Sequence, residues 1–439
     1  MARLYEPDAY DTARWPESYW RASTELPLPT VPLEGDAEAE VAIIGAGYAG
    51  LNAALELAER FGIRATVLEA GQPGWGASGR NGGFCCHGGA RLTSGQIASR
   101  HGDAGAQEWA DFEYEAIERV RDNLTRYTID ADAGPEGELY MAHSARSFAR
   151  MQAAPLEPGC ELLDRAALAE RGMQGAGLYG AILSPHGFPL HPLKYALGLA
   201  RAAQAAGVTV HGDSAVTGLA REGAAWRLQT ARGSLRAKRV LVATNGYSDE
   251  ALPHWLHGRI FPLLSAILVT RPLSEGERAA QGWTSQIMAY DSRRVLHYYR
   301  LLPDGRFLFG GRGGISARLD ALAAFHTTLR GEFDAMFPAF AAAGTEHYWA
   351  GLVCMTGSWH PFCAEVPEQP GLFAALGWHG NGVAAASEGG RRIAHALAGG
   401  ANPAPALVQA PLNRFPLPAL RRPLKGVAVG LAKLADRLA

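Results

Sequence analysis

Six residues, Gly45-Ala-Gly-Tyr-Ala-Gly50, restrict the fold of this chain more than any other stretch. They end a short β-branched run, Glu40-Val-Ala-Ile-Ile-Gly45, that reads as a buried parallel strand. A helix is predicted behind them, from about Ala49 to Arg60, with Leu51, Leu55 and Ala58 on one face and Gly62 ending it. A second strand, Ala65–Glu69, completes a βαβ unit that begins at Val41. In such a unit Gly45 permits the tight turn, Gly47 lets the backbone approach a pyrophosphate, and Gly50 lets the helix pack on the strand. The unpaired N–H groups and dipole of the helix N-terminus favour phosphate charge. Glu69 follows Gly50 at the spacing of about 20 residues at which an acid meets a ribose diol. A dinucleotide is the implied ligand, and the motif by itself does not separate FAD from NAD.

The 439 residues suffice for more than one domain. Apolar residues make up 48% and charged residues 19%, the balance of a soluble globular protein. The formal net charge of −2 gives no overall field toward nucleic acid or an acidic membrane. The first residues, MARLYEPDAYD, lack a basic stretch followed by an apolar one, so no secretory signal is read. No apolar run approaches the roughly 18–20 residues of a transmembrane helix. Cys85, Cys86, Cys160, Cys354 and Cys363 show no CxxC and no zinc spacing. A reduced, cytoplasmic protein without a structural metal is expected.

Residues 1–37 read as an arm on the body, anchored by Trp15, Tyr19 and Trp20. Residues 71–90 form a glycine-rich loop. Helices are predicted over 107–126, 192–206 and 317–336, and strands over 208–211, 239–246, 267–270, 295–302 and 306–309. The Pro303-Asp-Gly305 turn joins the last two as a hairpin. The stretch 371–398 reads as strand, glycine-rich turn and helix.

These segments together resemble the D-amino-acid oxidase-like superfamily of FAD-dependent oxidoreductases, and within it the γ-glutamylputrescine oxidase branch. The resemblance is carried by VAIIGAGYAGLNAALELAE (41–59), TVLEA (66–70), GWGASGRNGG (74–83), PLHPLKYALGLARAAQAAGV (189–208), VLVATNGYSD (240–249), LHYYRLLPDGRFLFGGR (296–312) and GWHGNGVAAASEGG (377–390). It implies an α/β Rossmann-type FAD-binding domain with an α+β, sheet-containing substrate domain, both discontinuous in sequence. Segments 38–100, 160–250 and 350–400 are assigned to the first and 101–159 and 251–349 to the second. It implies FAD contacts at Gly45, Ala46, Gly47, Tyr48, Ala49, Gly50, Glu69 and Ala70, at Ser78, Gly79, Arg80, Asn81, Gly82 and Gly83, and at Val216, Thr244, Asn245 and Gly246. Gly377, His379, Gly380, Asn381, Gly382 and Val383 would flank the pyrimidine end of the flavin, where a helix N-terminus stabilises negative charge. Many relatives carry Gly-Tyr-Asn-Gly-Arg-Gly-Val at the last of these, so Trp378 and His379 bear on the substrate face. The stretch 349–356 is similar to sarcosine oxidase, where a nearby Cys binds flavin covalently. Cys354 stands one residue out of that register, and a small buried thiol is the plainer reading.

The implied reaction is oxidation of a carbon–nitrogen bond in an amine or amino acid. Hydride passes from the amine-bearing carbon to flavin N5, an imine forms, and oxygen is the expected acceptor. His297, Tyr298, Tyr299 and Arg300 share a strand of the second domain. Alternation sets Tyr298 with Arg300 and His297 with Tyr299. Tyr298, Tyr299, Arg300 and His379 are the candidate catalytic residues, Arg300 as a bidentate partner for a substrate carboxylate. Cys86, His87, Trp359 and His360 are candidate cavity residues; core packing is the competing reading for each. Gly310-Gly-Arg-Gly-Gly314 lacks the third glycine and the distal acid of a second nucleotide site. Residues 401–439 form a C-terminal extension in which Arg421, Arg422, Lys425, Lys433 and Arg437 flank an apolar stripe of Leu424, Val427, Leu431, Leu434 and Leu438. The stripe would pack on the body or a partner subunit, or lie on a membrane surface. Alternative functions are a dehydrogenase reducing a quinone or electron-transfer protein, an NADPH-dependent flavin monooxygenase, and a non-catalytic flavin-binding subunit.

Overall fold

The computed structural model describes residues 3–25, 28 and 30–437. Strand β1 (Gly35–Ile44) runs into helix α1 (Tyr48–Phe61) and returns as β2 (Thr66–Leu68), parallel to β1 with Ala42 opposite Thr66. Val41, Ala42 and Ile43 are fully buried, as befits a strand covered on both faces. Gly62, at φ 66°, ends α1 in the left-handed conformation. The strand begins five residues before the Glu40 expected, because Gly35 to Ala39 pair with Gly233 to Ala237.

Continuing along the chain come α2 (Ser94–Arg126), β3 (Glu138–Ala142), β4 (Glu161–Asp164), β5 (Gly180–Ser184), α3 (Pro192–Ala205), β6 (Thr209–His211), β7 (Gly218–Glu222), β8 (Ala225–Gln229) and β9 (Gly233–Val242). Then follow β10 (Ile260–Thr270), β11 (Met288–Asp291), β12 (His297–Leu301), β13 (Phe307–Gly314), α4 (Leu319–Met336), β14 (Thr345–Thr356), β15 (Phe362–Glu365), β16 (Leu372–Leu376), α5 (Gly382–Leu397) and α6 (Arg421–Arg437). The first sheet has the order β15-β16-β9-β1-β2-β6, with the β7–β8 hairpin attached at β9. The second has the order β14-β10-β13-β12-β11-β3-β5-β4. Helices α1, α3 and α5 build a continuous apolar core on one face of the first sheet. On one face of the second sheet, Tyr299, Phe307 and Phe309 meet Phe333 and Met336 of α4.

Three segments depart from the expected division. Helix α2 starts at Ser94 behind a Thr93/Gln96 capping box, with a break at Gly102 (φ 75°). It buries Trp109, Phe112, Ile117 and Val120 in the first core, although 101–159 was assigned to the substrate domain. Strands β4 and β5 belong to the second sheet, because β5 pairs with β3 and β4 pairs with β5. Residues 350–356 likewise close β14 of that sheet. Local periodicity does not reveal which sheet a short strand joins; cross-strand partners decide it.

The arm lies against the body. Trp20 is 1% exposed and donates through Nε1 to the Asn81 carbonyl at 2.8 Å. Trp15 and Tyr19 are partly buried against the first core. The C-terminal extension holds the predicted basic helix with its faces reversed. Arg421, Arg422, Lys425 and Lys433 turn inward, and Leu424, Val427, Leu431 and Leu434 face solvent. Leu438 lies outside the described residues. No helix of the described residues is long and apolar enough to cross a membrane.

Trp20→Ala is expected to cost about 3–5 kcal/mol of stability, the range for deleting a buried large aromatic. Denaturant unfolding of the full chain checks this, and a loss below about 1 kcal/mol would show that the arm is not held there.

Candidate active site

A cavity of about 430 Å³ runs between the two sheets. Its first end is made by the βαβ turn. Gly45 sits at φ 109°, and a Cβ there would lie 2.9 Å from the Ala243 carbonyl oxygen. The Glu69 carboxylate accepts from the backbone N–H of Ala46 at 2.7 Å and of Gly71 at 3.1 Å. Burial raises its pKa above the ordinary carboxylate value, against the pull of these N–H donors. Ser78 Oγ accepts from Tyr48 N at 3.0 Å and bridges the glycine-rich loop to the N-terminus of α1.

Of the expected cofactor contacts, Gly45, Ala46, Gly47, Tyr48, Ala49, Glu69, Ala70, Ser78, Arg80, Asn81, Gly82, Val216, Thr244, Asn245, Gly380, Asn381, Gly382 and Val383 line the cavity. Gly50, Gly79, Gly83, Gly246 and Gly377 do not. They are close-packing positions behind it. A Cβ on Gly50 would stand 2.0 Å from the Gly45 oxygen, on Gly79 2.2 Å from the Gly74 oxygen, and on Gly83 1.9 Å from the Leu190 oxygen. The same atom on Gly377 would meet Thr356 Cγ2 at 2.3 Å, and on Gly246 the Leu352 oxygen at 3.0 Å.

Arg80 packs its guanidinium 4.1 Å from the Trp75 ring centre and donates to the Trp75 carbonyl at 2.8 Å. Asn81 donates to the carbonyls of Ala77 and Ser78 and accepts from Gly83 N at 2.8 Å, which locks the loop. At the far end α5 begins at Gly382, and its N-cap residue Asn381 makes no side-chain cap. Its amide donates to the His87 carbonyl instead. The first N–H groups of α5 therefore have no partner within the helix and border the cavity.

The second sheet lays one face along this space. Tyr298 lines the cavity, its hydroxyl 2.9 Å from Ser265 Oγ. Burial pushes its pKa up to about 12. Arg312, two residues beyond the Gly310 that pairs with Tyr298, lines it too, as do Tyr290 and the loop residue Arg91. Arg312 donates to the His379 carbonyl at 3.3 Å. Neither guanidinium forms an ion pair among the described residues, and burial lowers both pKa values, Arg312 to about 9.

Three of the four candidate catalytic residues fall elsewhere. Tyr299 is wholly buried on the opposite face of the sheet, against Trp283, Phe307, Phe309 and Phe337. Arg300 shares a face with Tyr298, but two residues along the strand carry it past the cavity. There it donates to the Leu190 carbonyl at 2.7 Å, with its guanidinium 5.5 Å from the Trp20 ring centre. His379 is 1% exposed and does not line the cavity. Its Nε2 accepts from Thr356 N at 3.0 Å, so Nδ1 carries the proton, which it donates to the Gly89 carbonyl at 2.7 Å. Burial drives its pKa down to about 3. The ring is a fixed neutral brace between a loop and β14, not a proton carrier.

Cys86 and His87 line the cavity; Trp359 and His360 do not. Trp359 is exposed, and its carbonyl accepts from Arg91 N at 2.7 Å. Burial lowers the His87 pKa to about 4. Cys354 lines the cavity as a thiol that burial pushes up to about 12. Gly310–Gly314 is a strand segment within β13, not a nucleotide-binding turn.

Sequence reading missed Arg312, Arg91 and Tyr290. Arg312 had a signal: a hairpin turning at Pro303–Gly305 pairs Gly310 with Tyr298, and alternation then puts residue 312 on the Tyr298 face. Arg91 sits on a loop with no periodicity to place it.

A dinucleotide-type turn, an acid at the end of its second strand and a second sheet closing the far end are the architecture of a flavin-dependent oxidoreductase. The chain matches the DAO family model of FAD-dependent oxidoreductases over residues 40–396, and it belongs to that family. It is 31% identical to the γ-glutamylputrescine oxidoreductase of Escherichia coli over 96% of this chain and 98% of that one. It is 26% identical to the sarcosine oxidase subunit beta of Rhizobium meliloti over 82% and 85% of the two chains. Glycine oxidase from Geobacillus kaustophilus has the same fold, with a TM-score of 0.69 at 20% identity, covering 87% of this chain and all of that one. The protein is thus an FAD-dependent oxidoreductase of the group acting on amines or amino acids.

Glu69→Ala is expected to weaken FAD binding about 10- to 100-fold, the loss of charged hydrogen bonds worth about 1.5–3 kcal/mol. Titration of apoprotein by flavin fluorescence measures this, and an unchanged Kd would contradict a cofactor-binding role for Glu69.

Proposed function

We propose that the protein oxidises the C–N bond of an amine or amino acid that also carries a carboxylate, and that Arg312, with Arg91 beside it, holds that carboxylate. The observation that carries this reading is that Arg312 and Arg91 line the cavity with no carboxylate paired to either among the described residues. A guanidinium in a cavity wall without a carboxylate partner leaves its charge uncompensated, so an anionic ligand is favoured there. The E. coli relative is named for γ-glutamylputrescine, which combines an amine with a glutamyl carboxylate, and a substrate of that chemistry suits the same cavity.

FAD, when bound, supplies the acceptor for the electrons of the C–H bond beside nitrogen. The chain's own residues orient and desolvate. Tyr298 is a protonated phenol held by Ser265 that presents an aromatic wall to the substrate. His379 is neutral and committed to backbone partners, so it is not the base. His87, held down near 4, is neutral throughout the working range. The amine must therefore enter the reaction already deprotonated.

Oxygen is the proposed acceptor. Hydrogen peroxide formed in step with amine consumed is the expected result. Its absence, with reduction of an added quinone, would assign a dehydrogenase instead.

Two further outcomes are expected. Arg312→Ala raises KM about 10- to 100-fold for a carboxylated amine and less than about threefold for its decarboxylated analogue, whereas Arg300→Ala shifts both alike. Equal effects of Arg312→Ala on the two substrates would refute the anchor. The rate of anaerobic flavin reduction rises with pH through one ionisation that follows the substrate ammonium pKa across a series of amines. A limb that stays fixed when the amine changes would point to a protein base.

A further inference from the structure

Leu420, Leu424, Val427, Leu431 and Leu434 recur at alternating steps of four and three residues. Each is between 46% and 63% exposed, on the outward face of α6 and of the turn that leads into it. Arg421, Arg422, Lys425, Lys433 and Asp436 point the other way and are taken up by the body. Arg421 pairs with Glu250 at 2.7 Å, Arg422 with Glu6, and Lys433 with Glu332 at 2.8 Å. Lys425 donates to the Gly314 carbonyl, and the Asp436 carboxylate accepts from Arg294 N and Val295 N. None of these five side chains is exposed. The ridge is flanked by the small residues Ala428, Gly430 and Ala435.

We infer that α6 is an assembly helix that pairs with α6 of a second copy of this chain across a two-fold axis. A four-three stripe has the 3.5-residue period of a seam between two helices. The alanines and glycine beside it let a second backbone approach closely. Charge decides between occupants. A helix resting on a bilayer gains from Lys and Arg turned toward the headgroups, whereas Arg421, Arg422, Lys425 and Lys433 face inward and bond to the body. Against its own copy the ridge meets an equally uncharged ridge with no like charges opposed. Area sets the strength. The 17-residue helix is about 25 Å long. Ile315, exposed and with its carbonyl on Arg422, widens the patch. Such a pair covers less than the roughly 800 Å² per partner of a standard interface, so a reversible dimer is expected.

Sedimentation velocity of the FAD-loaded full chain over about a hundredfold concentration range tests this. The expected result is a monomer–dimer equilibrium that shifts with concentration. Leu424→Glu combined with Leu431→Glu should leave only monomer, with anaerobic flavin reduction by amine unchanged. Val427→Lys should weaken the dimer in the same direction. A wild-type chain that stays monomeric throughout overturns the inference. So does a dimer that survives in the double variant, or a monomer that floats with phosphatidylglycerol vesicles, which would give the ridge to a bilayer.

Discussion

The start of α1 is pressed onto the end of β1 so closely that no side chain fits between them. At Gly50 the nearest backbone oxygen, that of Gly45, would lie 2.0 Å from a Cβ. This contact fixes where the helix N-terminus points, and with it the position of Ser78, Glu69 and the loop through Asn81. A second contact of the same kind, Gly83 against the Leu190 carbonyl, places the loop that runs on to Cys86 and Arg91. The cavity is what remains once these backbone approaches are satisfied, and the second sheet closes it from the other side.

That sheet divides its residues by alternation. One face of β12 gives Tyr299 to an aromatic core, and the other gives Tyr298 to the cavity. On β13 the same rule gives Arg312 to the cavity and leaves Phe309 in the core. Neutral groups on the cavity wall include the Tyr298 phenol, the Cys86 and Cys354 thiols, and His87, held well below its usual pKa. Arg312 and Arg91 add cations to a lining that also holds Arg3, Glu69, Arg80 and Asp249. With no ion-pair partner among the described residues, Arg312 and Arg91 favour an anionic group in a ligand.

Much of this was legible in the sequence, and unevenly so. The βαβ unit was readable because its glycines and terminal acid answer to one local geometry. The loop 74–83 and the turn before α5 were readable through family resemblance, and most of their residues line the cavity. The glycines that do not line it, Gly50, Gly79, Gly83, Gly246 and Gly377, answer to packing, which motif matching does not distinguish from ligand contact. Arg300 misled because alternation gives a face and not a distance along it: one strand step of about 7 Å separates it from Tyr298. His379 misled because a histidine between glycines suggests a ligand, whereas its two ring nitrogens are spent on Gly89 and Thr356. The domain of 94–126 and 161–184 was set by long-range partners that no local pattern reports.

The account rests on FAD and an amine sharing the cavity beneath Tyr298 and Arg312. Anaerobic mixing of the FAD-loaded protein with a panel of amines, D- and L-amino acids and N-methyl amino acids, read as loss of the visible flavin band, tests it most directly. Rapid bleaching by members that carry a carboxylate, and slow or no bleaching by their decarboxylated analogues, is the expected result. A flavin band that persists with every amine would contradict it.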